Sequence, residues 1–313
     1  MAMNVHAFPS GKAMRDAGYK LGEAEIEFAC FRTPMFFTAL GMTENNEQLK
    51  VALESGVFHK MMHHVLVNAV IGYSKGEFKW KMAVMKQIMK ETGGVKIPMY
   101  LRITPGVLRI AGPLLKNVKD PLAIMRRFPF LQDIIHSIPM GKQQKLVQDS
   151  RLFWLLVRNA VNTQATFRPS QGMSTMLGSF DTWDMGVTQA EWIAQAKQKY
   201  IEKGIFLDDG GDLGCGGTFE NAHLGYLEGI YLYASGDPQA VKASAEIIED
   251  GCNAAIEQAM GIPIAAFGCG MNKRFGPACR NYPKYMSKIK KALDPNTASD
   301  PFFYAESEDG QKS

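Results

Sequence analysis

Twice along the chain an apolar, β-branched run leads through a helix-capping box into an amphipathic stretch that stops at glycine. The first copy opens with residues 64–71, His-Val-Leu-Val-Asn-Ala-Val-Ile, a strand pattern. After Gly72-Tyr73 comes Ser74-Lys75-Gly76-Glu77. A serine hydroxyl and a glutamate carboxylate three positions apart satisfy the orphan amides of a helix start. Phe78, Met82, Met85, Ile88 and Met89 then form one stripe, Lys79, Lys86 and Lys90 lie off it, and Gly93-Gly94 closes the run. The second copy has strand-like residues 174–180, the box Thr188-Gln189-Ala190-Glu191, apolar Trp192, Ile193, Ala196 and Tyr200, and a stop at Gly204. The boxes lie 114 residues apart (188 minus 74), far more than the roughly 20 to 50 residues of a solenoid period. The spacing suits two βα units sharing one antiparallel sheet with helices on one face. An α+β layer of ferredoxin-like type is the simplest packing.

Two further helices follow. Asp237-Pro238 pairs an N-cap with proline at the first helical position, and that run reaches Met260 before Gly261. The last helix spans about residues 276–293, ends in Lys288, Lys290 and Lys291, and is broken by Asp294-Pro295-Asn296. The expected organisation is a lead-in over 1–60, a main domain over 61–275, a C-terminal helix and return over 276–305, and a disordered tail over 306–313. An irregular basic insert near 97–170 interrupts the main domain. From Glu77 to Arg127 there are eleven Lys or Arg against three Asp or Glu, and prolines stand at 98, 105, 113, 121, 129 and 139. Such a stretch either docks an anionic partner, acidic substrate or peripheral membrane surface, or packs irregularly with a solvated basic side.

A net charge of +4 is too mild for a nucleic-acid partner. No run of 18 apolar residues occurs, which gives no spanning helix. Residues 1–19 carry Lys12, Arg15 and Asp16 without an apolar signal core, so a cytoplasmic location is the expectation. Cys30, Cys215, Cys252, Cys269 and Cys279 are odd in number and show no CxxC spacing, and they read as free thiols. His59, His63 and His64 run into the first strand with no carboxylate at helpful spacing, so no metal site is expected. The methionines at helical spacing read as core filling, and no Ser-His-Asp order or phosphate-cradling loop occurs. Asp208-Asp209 reads as a solvated turn and Gly210 to Gly217 as a loop that lets backbone approach a ring or ligand, not as a dinucleotide fingerprint.

The C-terminal Phe267-Gly268-Cys269-Gly270-Met271-Asn272-Lys273, followed by Ile289-Lys290-Lys291-Ala292-Leu293-Asp294-Pro295-Asn296, resembles the closing segment of the vanillyl-alcohol oxidase/para-cresol methylhydroxylase family of FAD enzymes. The resemblance covers about residues 60–305. It implies a cap domain folded over a flavin ring, with FAD as cofactor and Gly268, Gly270, Asn272 and Lys273 beside it. The family's N-terminal flavin domain has no counterpart in these residues, so the resemblance implies a flavin-binding subunit or domain as partner. Two further departures bear on the substrate. Phenol-oxidising members place a Tyr-Arg pair where this chain has Gly261-Ile262-Pro263-Ile264-Ala265-Ala266, and hydroxyacid-oxidising relatives have histidine where Phe267 stands.

Candidate site residues follow from both lines. His223 and Tyr226, after the glycine-rich loop, are candidate catalytic groups, since a base within hydrogen-bond reach can take a hydroxyl proton as hydride leaves the carbon. Glu220 and Glu228 lie in the same stretch. Arg168 is a candidate carboxylate anchor because its fork binds both oxygens, and Phe267 a candidate substrate contact. The resulting expectation is the substrate-binding part of an FAD-dependent oxidoreductase, acting on an alcohol-type or related C–H donor by hydride transfer to flavin. The rival is a non-catalytic interaction subunit that keeps the cap fold, which the apolar Ala265, Ala266 and Phe267 favour.

Overall fold

The computed structural model describes residues 2–32, 63–97, 123, 127, 171–261, 274–296 and 298–299. The strands are β1 (Ala2–Ala7), β2 (Ala29–Arg32), β3 (Val65–Val70), β4 (Val95–Ile97), β5 (Gln171–Asp181), β6 (Cys215–Phe219) and β7 (Leu224–Ala234). The helices are α1 (Gly11–Glu23), α2 (Lys75–Thr92), α3 (Trp183–Ile201), α4 (Pro238–Glu257) and α5 (Tyr282–Leu293). All seven strands join one antiparallel sheet in the order β4-β1-β3-β2-β6-β7-β5. Helix α1 packs on α2 and α3, and α3 on α4, which sets four helices in one row over one face. The α+β class with an antiparallel sheet and a single helical layer is what the two βα units imply.

The duplication is larger than those two units. β1-α1-β2-β3-α2-β4 produces the ferredoxin-like strand order β4-β1-β3-β2, and β5-α3-β6-β7-α4 repeats it as β5-β7-β6. The repeats join edge to edge where β2 pairs with β6. The equivalent of β5-α3 is therefore β1-α1, and the equivalent of β3-α2 is β7-α4. The described part of the expected lead-in, residues 2–32, forms the first strand, helix and return of the first repeat. β1 is inconspicuous in sequence because polar Asn4 and His6, buried at 3% and 4% exposure, alternate with buried Val5 and Ala7 and interrupt the apolar pattern. Helix α1 buries small residues, Ala17, Gly18 and Gly22, beside Met14 and Leu21.

Each repeated helix begins at a side-chain cap. Ser10 Oγ accepts from Ala13 N at 3.2 Å, Ser74 Oγ from Glu77 N at 3.1 Å, Thr182 Oγ1 from Met185 N at 3.3 Å and Asp237 from Gln239 N at 2.9 Å. Such caps contribute about 1 kcal/mol each. Gly93 ends α2 in the left-handed conformation with φ 74°. Helix α3 starts at Thr182, earlier than the Thr188 box; Thr188 Oγ1 donates to Asp184 O within the second turn instead. The early start packs Gly186 against Leu227 and seats Trp183, wholly buried, in the core. A Cβ on Gly18 would stand 2.6 Å from the Trp183 indole nitrogen, and one on Gly225 2.6 Å from the Trp183 Cα. Two helix ends also differ from the sequence reading: α4 stops at Glu257, and α5 begins at Tyr282 after turns over 276–281.

Two apolar clusters lie between sheet and helices. Met14, Leu21, Leu66, Val70, Met85, Trp183 and Leu227 centre the first, under α1, α2 and the start of α3. Ile193, Tyr200, Phe206, Tyr231 and Ile247 centre the second, under α3 and α4. The basic insert lies outside the described residues apart from 97, 123 and 127, and the expected C-terminal tail lies wholly outside them. Among the described residues no helix is long and apolar enough to cross a membrane.

Candidate functional site

Strand β7 has two faces of different character. Gly225 abuts Trp183, Leu227 and Tyr231 enter the helix-side clusters, and Gly229 abuts Ile193, so odd-numbered positions face the helices. The two-residue period then puts Tyr226 and Glu228 on the opposite face. The register sets Tyr226 beside Gly217 and Phe180, and Glu228 beside Cys215. There the Tyr226 hydroxyl donates to Glu228 Oε2, and the Cys215 thiol donates to Glu228 Oε1 at 3.4 Å. Phe180 packs on Tyr226 with ring centroids 5.1 Å apart and meets Phe219 edge-on at 5.7 Å. Phe180 and Phe219 remain 58% and 44% exposed.

Burial and the Glu228 charge push the Cys215 thiol up to about 12. Burial and the hydrogen bond to Glu228 likewise raise the Tyr226 phenol. Both groups keep their protons at neutral pH and hold one carboxylate between them. The arrangement offers a proton acceptor, Glu228, beside a phenol that can relay to it.

Next to this cluster a cavity of about 680 Å³ follows the β2–β6 seam, lined among others by Glu27, Phe28, Cys30, Phe31, Cys215 and Phe219. That volume suits a small-molecule site. Its floor is flat at Gly216 and Gly217. A Cβ on Gly217 would lie 2.3 Å from the Cys30 carbonyl oxygen, so no side chain can rise there without parting the strands. Glu27 accepts from Asn68 Nδ2 at 2.5 Å, and burial pushes its carboxyl up to about 8.

The hairpin between β6 and β7 turns through three non-glycine residues with positive φ, Glu220 (49°), Asn221 (56°) and Ala222 (65°). Each costs about 1–2 kcal/mol. Helix α1 braces the turn: a Cβ on Gly22 would stand 2.3 Å from the Asn221 carbonyl oxygen. His223 sits exposed at this tip, its amide donating to Glu220 O at 3.1 Å. Among the described residues no hydrogen bond joins the His223 side chain to the Tyr226–Glu228–Cys215 cluster.

A buried ionic clamp sets the loop that enters β6. Lys197 Nζ, on α3, donates to Asp209 Oδ2 at 2.6 Å, to Asp212 O at 2.6 Å and to Ile230 O at 3.1 Å. Arg32, at the end of β2, donates to Asp212 Oδ1 at 2.7 Å, to His63 O at 3.0 Å and to Gly214 O. The four charged side chains are at most 4% exposed. Burial raises the Asp209 carboxyl and the Lys197 charge opposes that rise. Asp209 is thus a buried ion-pair partner and not the solvated residue expected; its Oδ1 also accepts from Gly211 N at 3.1 Å and Asp212 N at 3.3 Å, while exposed Asp208 accepts from Gly210 N at 2.9 Å. The sequence signal for the clamp was slight: one lysine among polar helix residues and one arginine closing an apolar strand. Arg168, Phe267, Gly268, Gly270, Asn272 and Lys273 lie outside the described residues.

Two ferredoxin-like repeats fused edge to edge, with helices on one side and a polar-aromatic face on the other, define a known architecture. It is shared with p-cresol methylhydroxylase solved with substrate bound, at TM-score 0.55 and 10% identity over 98% of this chain and 53% of that one. It is shared equally with 4-ethylphenol oxidase from Gulosibacter chungangensis in its isoeugenol complex, at TM-score 0.56 and 12% identity over 98% and 54%. The fold that the C-terminal resemblance implies is therefore the fold found. The chain spans about half the length of these structures. No protein-family model matches the sequence, and neither does any curated protein.

Proposed function

We propose that this chain is the substrate-binding cap part, or subunit, of an FAD-dependent oxidoreductase acting on an alcohol-type or related C–H donor. The observation that carries the reading is the Tyr226–Glu228–Cys215 cluster on the non-helical sheet face, rimmed by Phe180 and Phe219. A flat glycine floor with an aromatic rim fits a planar ring system lying against the sheet. FAD, when bound, supplies the hydride acceptor. The chain's own residues exclude water, orient the donor and receive its proton. In this reading the substrate hydroxyl meets the Tyr226 oxygen, and Glu228 takes the proton that leaves it. His223 stands at the tip of the same hairpin as a further candidate. The family resemblance adds Arg168 and Phe267 toward the substrate, and Gly268, Gly270, Asn272 and Lys273 toward the cofactor. The partner is a flavin-binding domain or subunit, in the cytoplasm.

The test is co-expression with the product of the neighbouring upstream reading frame, followed by a visible spectrum and single-turnover reduction with candidate alcohols. The wild-type pair should show flavin absorbance that this chain alone does not. Tyr226→Phe and Glu228→Gln should keep the flavin and slow its reduction by about 10²–10⁴-fold. A pair that stays colourless with excess FAD sinks the capping role and favours the interaction-subunit reading. Unchanged reduction in both variants removes the cluster from the chemistry.

A further inference from the structure

Asp209 and Asp212 are buried, and each meets a cation, Lys197 Nζ at 2.6 Å and Arg32 Nη2 at 2.7 Å. Glu27 differs. Among the described residues its carboxyl has only neutral partners, Asn68 Nδ2 at 2.5 Å and the Cys30 thiol. A desolvated carboxyl without a counter-ion keeps its proton, and burial pushes this one up to about 8. It stands in the wall of the seam cavity, not in the closed core. The register sets what lies around it. β2 and β6 pair Arg32 with Gly216, Phe31 with Gly217 and Cys30 with Thr218. Continued past the last pair, the same register brings Ala29 level with Phe219, Phe28 with Glu220 and Glu27 with Asn221. Glu27, Glu220, Phe28 and Phe219 thus gather at one end of the cavity, with Phe31 a little further along the strand. The Phe28 and Phe219 rings are 73% and 44% exposed. Arg32 lines the other end, about 17 Å of strand away, and its charge is answered by Asp212.

A carboxyl that lacks a cation, a second acid beside it and aromatic faces around both suit an organic cation. The ion supplies the missing counter-charge, and the rings attract it through their negative faces. We infer that this end of the seam binds the ammonium group of an amine-bearing small molecule, with Glu27 as its counter-ion and the Phe28, Phe31 and Phe219 rings packed against it. An anionic group fits worse, since it would meet both acids while Arg32 is spent on Asp212 at the far end. An uncharged group gains nothing from the second acid. Gly217 pairs with Tyr226, so a molecule held at Glu27 can extend along the glycine floor toward Tyr226 and Glu228. In that role the ammonium group belongs to the donor, and this part of the inference rests on the flavoenzyme reading. The cation site itself rests on this chain alone.

The experiment is calorimetric titration of the full chain at pH 7 with benzylammonium and with benzyl alcohol, which is close to it in shape but uncharged. Wild type should bind benzylammonium about tenfold more tightly. The Glu27 proton has to leave as the cation arrives, so about one proton should be released per ligand bound. Its release is read from how the heat changes with the ionisation enthalpy of the buffer. Glu27→Gln, shown folded by circular dichroism and Tm, should lose both the preference and the proton release while still binding benzyl alcohol. Phe219→Leu, at an exposed ring, should weaken benzylammonium about two- to fivefold. Equal affinity for the two ligands, or no binding of benzylammonium at millimolar concentration, overturns the inference. So does a preference that persists in Glu27→Gln, or one that releases no proton; the second reading needs wild type alone and decides the matter if the variant does not fold. Each of these failures leaves the flavoenzyme reading standing. A flavin-free pair with the upstream product, beside a positive titration, strikes the donor role and leaves the cation site in place.

Discussion

The two repeats share one topology, yet the polar groups buried in the first repeat's sheet and those buried at the second repeat's entry loop differ in kind. In the first, Asn4, His6, Asn68 and Glu27 form a ladder of uncharged contacts beneath α1 and α2. Asn4 Nδ2 meets Met82 Sδ at 3.9 Å, Asn68 meets Cys30 Sγ at 3.3 Å and Glu27 at 2.5 Å, and His6 Nδ1 lies 3.4 Å from Asn68 Oδ1. Every residue of β3 is buried. The second repeat also buries neutral Gln189 and Ser244, but its entry loop is held by ions, Lys197 with Asp209 and Asp212 with Arg32, which reaches across from β2 of the first repeat. A strand satisfies its own backbone through the ladder, so its polar side chains need only neutral partners. The loop over 207–214 has few ladder partners, and charged side chains supply its missing donors and acceptors. The two repeats also meet the seam cavity differently: the first lines it with Glu27, Phe28, Cys30 and Phe31, whereas the second contributes Cys215 and, on the adjoining strand, Tyr226 and Glu228.

The sharpest way to break this contrast is to take one charge from the clamp. Lys197→Ala leaves Asp209 buried without its cation and should cost about 3–5 kcal/mol in urea denaturation. Lys197→Met with Asp209→Leu should recover most of that, since a matched apolar pair is often no worse than a buried ion pair. A double variant as unstable as the single one would mean that the lysine acts through its bonds to the Asp212 and Ile230 carbonyls instead. Next in size is Gly214→Ala. Gly214 has φ 93°, and an added Cβ would stand 1.8 Å from the Glu228 carbonyl oxygen, so β6 and β7 must part. A loss of about 3 kcal/mol is expected. Gly204→Ala is the control: φ is 69° and nothing lies within 4 Å of the added carbon, which leaves only the backbone term of about 1–2 kcal/mol. Equal losses at the two glycines would show that the close approach at Gly214 relaxes freely.

The same contrast explains what could be read from the sequence. β3 and α2 were legible because an uninterrupted apolar strand, a serine cap and a glycine stop are local signals that tertiary structure did not override. β1-α1 was not, because its strand carries buried Asn4 and His6 and its helix packs through alanine and glycine. Their repeat relation to β5-α3 exists only in strand order. At the site, Tyr226 was legible from its place after the glycine-rich loop. The prominence of Glu228 over His223 was not, because strand register decides which residues face Cys215 and which end at a turn. Asp209 illustrates the limit: Asp-Asp-Gly-Gly is a turn signal in any sequence, and only the distant Lys197 turns one of its carboxylates inward.

The smallest predicted effect separates a neutral ladder from a charged clamp by titration. Burial pushes the Glu27 carboxyl up to about 8, with hydrogen bonds from Asn68 and Cys30 opposing it, against an unfolded value of 4.5. The folded chain therefore holds a proton that the unfolded chain has released between those pH values. Stability should fall as pH rises through this window, by about 1.4 kcal/mol per unit. His64 has the opposite slope. Burial, helped by the His63 and Arg32 charges, lowers it from 6.5 to about 3, so its contribution is lost only as pH falls below 6.5. Between pH 6.5 and 7.5 His64 still regains a little stability, so the difference between wild type and Glu27→Gln in urea unfolding isolates the Glu27 side of the balance. Wild type should lose more than Glu27→Gln, which cannot ionise, by about 1 kcal/mol across that unit. Parallel pH profiles for the two proteins would mean that Glu27 is already a carboxylate in the fold, and that the first repeat buries charge as the second does.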